Sequence, residues 1–277
     1  MKQRQKQKEV FHKIRKSMTK EWAKRTVYQV TAFLVSVAMV YGVVSYAVGK
    51  SYRARKLEFV DGFTITAHTG SMDTKDNSLE SIRAGAESGA DIIEFDVAFR
   101  PDKTPVMSHD LVVTNKQGVP VEEAFKLISK YPGIKVNLDI KETTNLSGLQ
   151  ELVLRYNLLD RVFLTGVSQR YVDEVKAQCP QLKYYLNMSP SRFKIITDKY
   201  KQALLEQLET SGAVGINCNY NYAGERLSGL MHENGYLLSV WTANNEDDMA
   251  RCLAIKPDNI TTRHPDVLIQ LIENWRV

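Results

Sequence analysis

From Phe63 onward the chain alternates between short apolar, β-rich runs and stretches with helical spacing. The runs are FTITA (63–67), DIIEFDV (91–97), IKVNLDI (134–140), RVFLT (161–165), LKYYLN (182–187), AVGIN (213–217), YLLSVWT (236–242) and DNITT (258–262). Helical stretches fall between them at 78–88, 148–157, 169–178, 201–211, 223–234 and 246–254. A strand, a helix and a second strand pack economically only when the strands are parallel and the helix crosses over. About eight such strands in about 220 residues fit a (β/α)8 TIM-type barrel of the α/β class better than an open doubly wound sheet. The run TPVMSHD (104–110) falls outside the alternation and is expected as a hairpin extension beside the second strand.

The N-terminal part obeys a different rule. Residues 27–48, VYQVTAFLVSVAMVYGVVSYAV, place no charged side chain in 22 positions. As a helix rising about 1.5 Å per residue, that run spans about 33 Å, close to the roughly 30 Å hydrocarbon core of a bilayer. Tyr28, Tyr41 and Tyr46 lie mostly toward its ends, where interfacial tyrosines are common. A buried helix of a soluble domain and a cleaved signal peptide, with small Ala47 and Gly49 near the site, are the alternatives. The long apolar run and the 26-residue lead before it favour a retained anchor. Ten Lys or Arg precede the run, and only Lys50, Arg53, Arg55 and Lys56 follow closely. The positive-inside rule then places the N-terminus in the cytoplasm and the rest outside. The expected organisation is a basic cytoplasmic segment (1–26), a transmembrane helix (27–48), a linker (49–61) and a barrel domain (62–277). This describes a single-pass protein of the cell membrane with its barrel extracytoplasmic.

Charge narrows the function classes. The net charge of +5 comes from the lead: residues 1–56 hold 14 basic and two acidic side chains, whereas 57–277 hold 23 basic and 30 acidic. A nucleic-acid-binding domain needs its basic excess on the folded part, so no nucleic-acid partner is expected. Cys179, Cys218 and Cys252 show no CxxC spacing, which argues against a disulfide scaffold or a cysteine zinc site.

In a barrel of this kind the chemistry sits at the C-terminal ends of the strands. The first run ends at His68, the second carries Glu94 and Asp96, the third carries Asp139 and Lys141, and the seventh carries Trp241. Glu94 and Asp96 are two apart on one strand and share a face. Two inward carboxylates repel unless a cation lies between them or one is protonated. Asp139 can complete an all-oxygen site for a hard divalent ion such as Mg2+ or Ca2+. An isolated Glu-x-Asp is usually a solvated strand edge, but the flanking Ile92, Ile93, Phe95 and Val97 argue for burial. His68 and His109 are the histidines near strand ends; beside a metal they can divide proton transfer. Lys141 shares the parity of Asp139, and either faces a phosphate or pairs with that carboxylate.

The stretch TAHTGSMDTKDNSLESIRAGAESGADIIEFDVAFRPDKTPVMSHD (66–110) resembles the glycerophosphodiester phosphodiesterase family. The family reads His-Arg-Gly, Glu-Asn-Thr, Gly-Ala-Asp into Glu-x-Asp-Val, and a hairpin closing on His-Asp. KVNLDIKE (135–142) resembles its Glu-x-Lys strand, and VWTANN (240–245) its Trp-Thr-x-Asn strand. The resemblance implies one divalent cation held by Glu94, Asp96 and Asp139. It also implies His68 and His109 as the acid–base pair, Lys141 as a phosphate contact and Trp241 beside the glycerol moiety. The implied reaction converts a glycerophosphodiester to glycerol phosphate and an alcohol, and related barrels proceed through a substrate hydroxyl and a cyclic phosphate. The implied partners are a small-molecule or lipid-derived phosphodiester, and membrane lipid through the N-terminal helix. The chain departs from the family pattern in four places: Thr69 replaces Arg, Asp76-Asn77-Ser78 replaces Glu-Asn-Thr and keeps the Asn, Asp139 replaces Glu, and Arg263 replaces Asp. Thr69 keeps open the alternative of a catalytically weak barrel that binds phosphorylated glycans or lipids.

Overall fold

The computed structural model describes residues 2–275. Its contacts divide the chain between Ser51 and Tyr52 into two compact units. The first is helical: α1 runs Lys2–Arg53, so the first residues of the expected 49–61 linker continue the helix. Within α1, Thr19–Arg53 is long and apolar enough to cross a membrane. Among its described residues, large apolar side chains such as Phe33, Met39 and Tyr41 are exposed.

The second unit is a closed barrel of eight parallel strands. In chain order these are β1 (Thr64–Ala67), β2 (Ile92–Phe99), β5 (Lys135–Ile140), β6 (Val162–Val167), β7 (Lys183–Asn187), β8 (Gly215–Asn219), β9 (Leu237–Trp241) and β10 (Asn259–Thr262). Closure comes from β1, which pairs in parallel with both β10 and β2. The expected hairpin is present: β3 (Pro105–Met107) runs antiparallel to the end of β2, and β4 (Val119–Pro120) pairs with β3. That extra pairing lengthens β2 beyond its barrel neighbours and buries its whole length.

Between the strands run α2 (Leu79–Glu87), α3 (Val121–Ile128), α4 (Leu146–Arg155), α5 (Val172–Gln178), α6 (Asp198–Ser211), α7 (Glu225–Glu233), α8 (Glu246–Ala254) and α9 (Pro265–Glu273). Three of them start on a side-chain cap. Ser78, Asn145 and Asn245 accept hydrogen bonds from the backbone of Ser81, Gly148 and Asp248, which satisfies amides that the first turn leaves open. The expected helical stretches all contain helix; α3 and α9 lie outside them.

Parity divides each strand between two environments. One set, including Ile93, Phe95, Val136, Leu138, Leu164 and Ile260, joins the hydrophobic core that the strands share with the helices. The other set is polar and faces the barrel axis. Deep in the axis Asn259 donates to Thr66 Oγ1 at 2.7 Å and accepts from Ser239 Oγ at 3.1 Å. These buried polar groups satisfy one another, as a low-dielectric interior requires.

Candidate active site

At the C-terminal ends of the strands the axis opens into a cavity of about 690 Å³. His68, Glu94, Asp96, His109, Asp139, Lys141 and Trp241 all line it, so every residue singled out in the sequence reaches one cleft.

The carboxylates form its floor. Asp96 and Asp139 are register partners on adjacent strands, and Glu94 lies one pleat deeper on β2. Oxygens of all three lie within 4.8 Å of one another. Glu94 and Asp96 are buried. Burial pushes the Glu94 carboxyl well above the usual carboxylate range, and the charges of Asp96 and Asp139 push it further. One cation is already present: Lys141 Nζ contacts Asp96 Oδ1 at 2.7 Å and also pairs with Asp139 Oδ2. Burial opposes the charge of Lys141, but the two carboxylates overcome that and raise its pKa above the ordinary lysine value. Three carboxylates and one ammonium leave two negative charges uncompensated when all are ionised. A hard, oxygen-preferring divalent ion matches both the donor set and that deficit.

His68, directly after β1, is held by its own loop. Its Nδ1 lies 2.8 Å from the carbonyl oxygen of Thr69. A carbonyl only accepts, so Nδ1 carries the proton and Nε2 keeps a free lone pair. Nε2 lies 3.9 Å from Glu94 Oε2. Burial holds the His68 pKa below its ordinary value, outweighing the Thr69 hydrogen bond, and the Arg263 charge acts the same way. The environment of His109 is the opposite. It follows β3 on the rim of the cleft, is 71% exposed, and its Nδ1 lies 3.1 Å from Asp110 Oδ1.

Thr69 lines the cleft, but its hydroxyl is taken up by Asn77. It is buried; its Oγ1 accepts from the Asn77 backbone N–H at 2.6 Å, and its own N–H donates to Glu94 Oε2 at 2.8 Å. Asn77 in turn grips Asp96, donating Nδ2 to Oδ2 at 2.8 Å and accepting from the Asp96 N–H at 3.0 Å. Arg263, after β10, lines the cleft and pairs with Asp76 at 3.0 Å. Of the departures, Asp76 and Arg263 thus pair with each other, while Thr69 bonds Asn77, the asparagine that the family pattern keeps.

Several lining residues escaped the sequence reading: Asn137, Thr165, Asn187, Asn217, Thr261 and the Arg170–Tyr171 pair. Thr165 Oγ1 donates to Asp139 Oδ1 at 2.7 Å, while Asn187 Oδ1 accepts from Gly166 N–H and Asn217 Nδ2, each at 3.1 Å. Gly166 has φ +74° and passes so close to β5 that a Cβ would lie 2.2 Å from the Ile140 carbonyl oxygen. The signal for most of these residues was parity. Asn137 precedes Asp139 by two, and Thr261 precedes Arg263 by two. Arg170 and Tyr171 belong to the turn after β6, where spacing says nothing; the guanidinium stacks 4.5 Å from the Tyr171 ring centre. His232 lies outside the cleft, bonded through Nε2 to Asp258 Oδ2 at 2.9 Å near the start of β10.

Comparison with known proteins gives three concordant findings. Residues 68–144 match the model of the glycerophosphoryl diester phosphodiesterase family. A glycerophosphodiester phosphodiesterase of Caldanaerobacter subterraneus subsp. tengcongensis is 26% identical over 245 residues, covering 75% of this chain and 97% of that protein. Among solved structures, a glycerophosphodiester phosphodiesterase of Parabacteroides distasonis superimposes with a TM-score of 0.63 at 18% identity, over 77% of this chain and 98% of its own. A phosphodiesterase of Oleispira antarctica, solved with the product sn-glycerol-3-phosphate, gives 0.57 at 19% identity, over 82% and 99%.

Proposed function

Because this chain belongs to the glycerophosphoryl diester phosphodiesterase family, we propose that it is a membrane-anchored, divalent-cation-dependent member of it. It is a phosphoric diester hydrolase, and glycerophosphodiesters are its substrate class. The observation that carries the finer reading is the pairing of a carboxylate triad, two of its members buried, with two histidines in unlike surroundings.

Glu94, Asp96 and Asp139 would hold the ion, Mg2+ or Ca2+. When bound, such an ion polarises the phosphoryl oxygens and offsets the charge that develops on them. The residues of the chain divide the rest. His68, neutral with its lone pair on Nε2, takes the proton from the attacking hydroxyl, either water or a hydroxyl of the substrate's own glycerol. His109 delivers a proton to the departing alkoxide as the phosphorus–oxygen bond to the leaving alcohol breaks. If the glycerol hydroxyl attacks, the product is a cyclic phosphate, and water opens it with the two histidines in exchanged roles. Lys141, paired with Asp96 and Asp139, would offer its ammonium to a phosphate oxygen. Trp241 gives the glycerol moiety an apolar wall.

Residues 27–48 act as the transmembrane helix, with 1–26 cytoplasmic and the barrel domain (62–277) outside, joined through 49–61. The uncovered apolar side chains of α1 support this reading. So does the excess of ten basic residues before the span over four after it. Two experiments test the proposal. Turnover of glycerophosphocholine by the full chain in detergent should vanish in excess chelator and return with Mg2+ or Ca2+; full turnover in chelator would refute the cation. External protease on intact cells should degrade the barrel and spare the first 26 residues; a protected barrel would reverse the orientation.

A further inference from the structure

The loops that leave the catalytic end of the barrel carry large apolar side chains that the barrel does not cover. On the connection from β7 to α6, Phe193 is 87% exposed and Ile196 is 59% exposed. Leu111 and Val113, just beyond His109, are also exposed, as is Tyr222 on the connection from β8 to α7.

The β7–α6 connection is a built prominence. Ile195 is buried beneath it, Tyr200 Oη accepts from the Ser191 N–H at 2.8 Å, and Ser191 Oγ accepts from the Lys194 N–H at 3.2 Å. Thr197 Oγ1 closes the turn on the Lys194 carbonyl at 2.9 Å. Phe193 and Ile196 are thus held outward by a fixed backbone, so little side-chain or loop freedom is lost when they are covered.

Charge identifies what covers them. Residues 188–201 hold Arg192, Lys194, Lys199 and Lys201 against a single acid, Asp198, within a domain that is otherwise acidic. Lys201 takes Asp198 at 3.1 Å, and among the described residues Arg192, Lys194 and Lys199 have no acidic partner. Exposed aromatic and aliphatic groups ringed by unpaired cations suit an anionic lipid surface, where apolar groups enter the acyl boundary and cations meet phosphates. The same chain carries the exposed apolar helix Thr19–Arg53, so a bilayer is already the solvent that its chemistry calls for.

We propose that the rim of the cleft is a lipid-contacting face. Phe193 and Ile196 enter the boundary between headgroups and acyl chains, and Arg192, Lys194 and Lys199 hold anionic headgroups. On the hydrolase reading above, on which this part rests, the cleft then meets diesters that keep an acyl chain in the bilayer, such as lysophospholipids.

The test uses the full chain in nanodiscs of phosphatidylglycerol and chain-brominated phosphatidylcholine. The emission that Phe193→Trp adds to that of Trp22, Trp241 and Trp275 is expected to be quenched by the bromine and shielded from aqueous iodide. An added indole that iodide reaches freely and bromine does not quench would overturn the proposal. That result would leave an acidic protein or peptide as the partner of the patch. A second arm compares substrates. Phe193→Asp with Ile196→Asp should lower kcat/KM on bilayer-borne lysophospholipid by about tenfold or more and leave soluble glycerophosphocholine unchanged. No loss on lysophospholipid, or an equal loss on both substrates, would overturn the substrate consequence. If the unaltered chain turned over neither substrate, the hydrolase reading would fall, while the quenching would still decide the docking.

Discussion

Asn77 holds Asp96 from both sides, donating its amide to the carboxylate at 2.8 Å and accepting the Asp96 backbone N–H at 3.0 Å. Asn77 adopts φ 54°, a left-handed conformation that Asn tolerates better than most residues, and Thr69 Oγ1 accepts its N–H. One side chain therefore ties the loop after β1 to a carboxylate of the cleft floor.

Asn77→Ala removes that grip while leaving all three carboxylates in the chain. Groups that orient metal ligands typically change metal affinity by about 10- to 100-fold. Titration of the full chain with Mg2+ or Ca2+ should show a loss of that order, with an unchanged circular dichroism spectrum. Unaltered affinity would mean that Asp96 is oriented without Asn77.

On the proposed cation site, Glu94 would make binding depend on pH. Its folded-state pKa is raised, first by burial and then by Asp96 and Asp139, so the cation-free fold binds a proton that the unfolded chain releases above about 4.5. The stability from this group is therefore present below that value and is lost as pH climbs toward the raised pKa. A divalent ion displaces the proton and removes the penalty. The rise in Tm on adding the ion should grow as pH climbs from the ordinary carboxylate range toward the raised pKa of Glu94. A rise that is flat across that window would contradict the role of Glu94.

The barrel was legible because parallel strands between helices repeat one pattern, and because Glu94, Asp96, Asp139 and Lys141 keep one parity on otherwise apolar strands. α3 was not, since Val121–Ile128 follows the hairpin, where the alternation is broken. α9 was not, since Pro265–Glu273 comes after the last strand, with no later strand to bracket it. The consequence of Thr69 was not legible either. From sequence Thr69 is only the replacement of an arginine, whereas in the fold its hydroxyl is bonded to Asn77. Such contacts depend on how a loop closes, and residue spacing carries no record of that.

Thr69→Arg is accordingly expected to damage the site rather than restore a phosphate contact. The position is buried and surrounded by Asn77 and Glu94. Forcing a guanidinium there and breaking the loop's hydrogen bonds should destabilise the fold by at least about 2 kcal/mol. Chemical denaturation measures this; equal stability with faster turnover of small diesters would overturn the expectation.

His232 gives the contrasting case. Its bond to Asp258, which also accepts the Leu238 N–H at 2.7 Å, supports the end of the barrel away from the cleft. His232→Ala should cost about 1.5–3 kcal/mol of stability, the worth of a hydrogen bond to a charged group. It should leave kcat/KM unchanged, and a large fall in turnover would place His232 in the chemistry.

The most direct test of the central claim is kcat/KM on glycerophosphocholine, with divalent cation present, for the full chain and its His68→Ala and His109→Ala variants. A positioned acid or base contributes roughly 100- to 10,000-fold, so each variant should lose at least two orders of magnitude while keeping its melting transition. Near-unaltered rates in both would contradict the account, because proton transfer in this cleft would then belong to other groups.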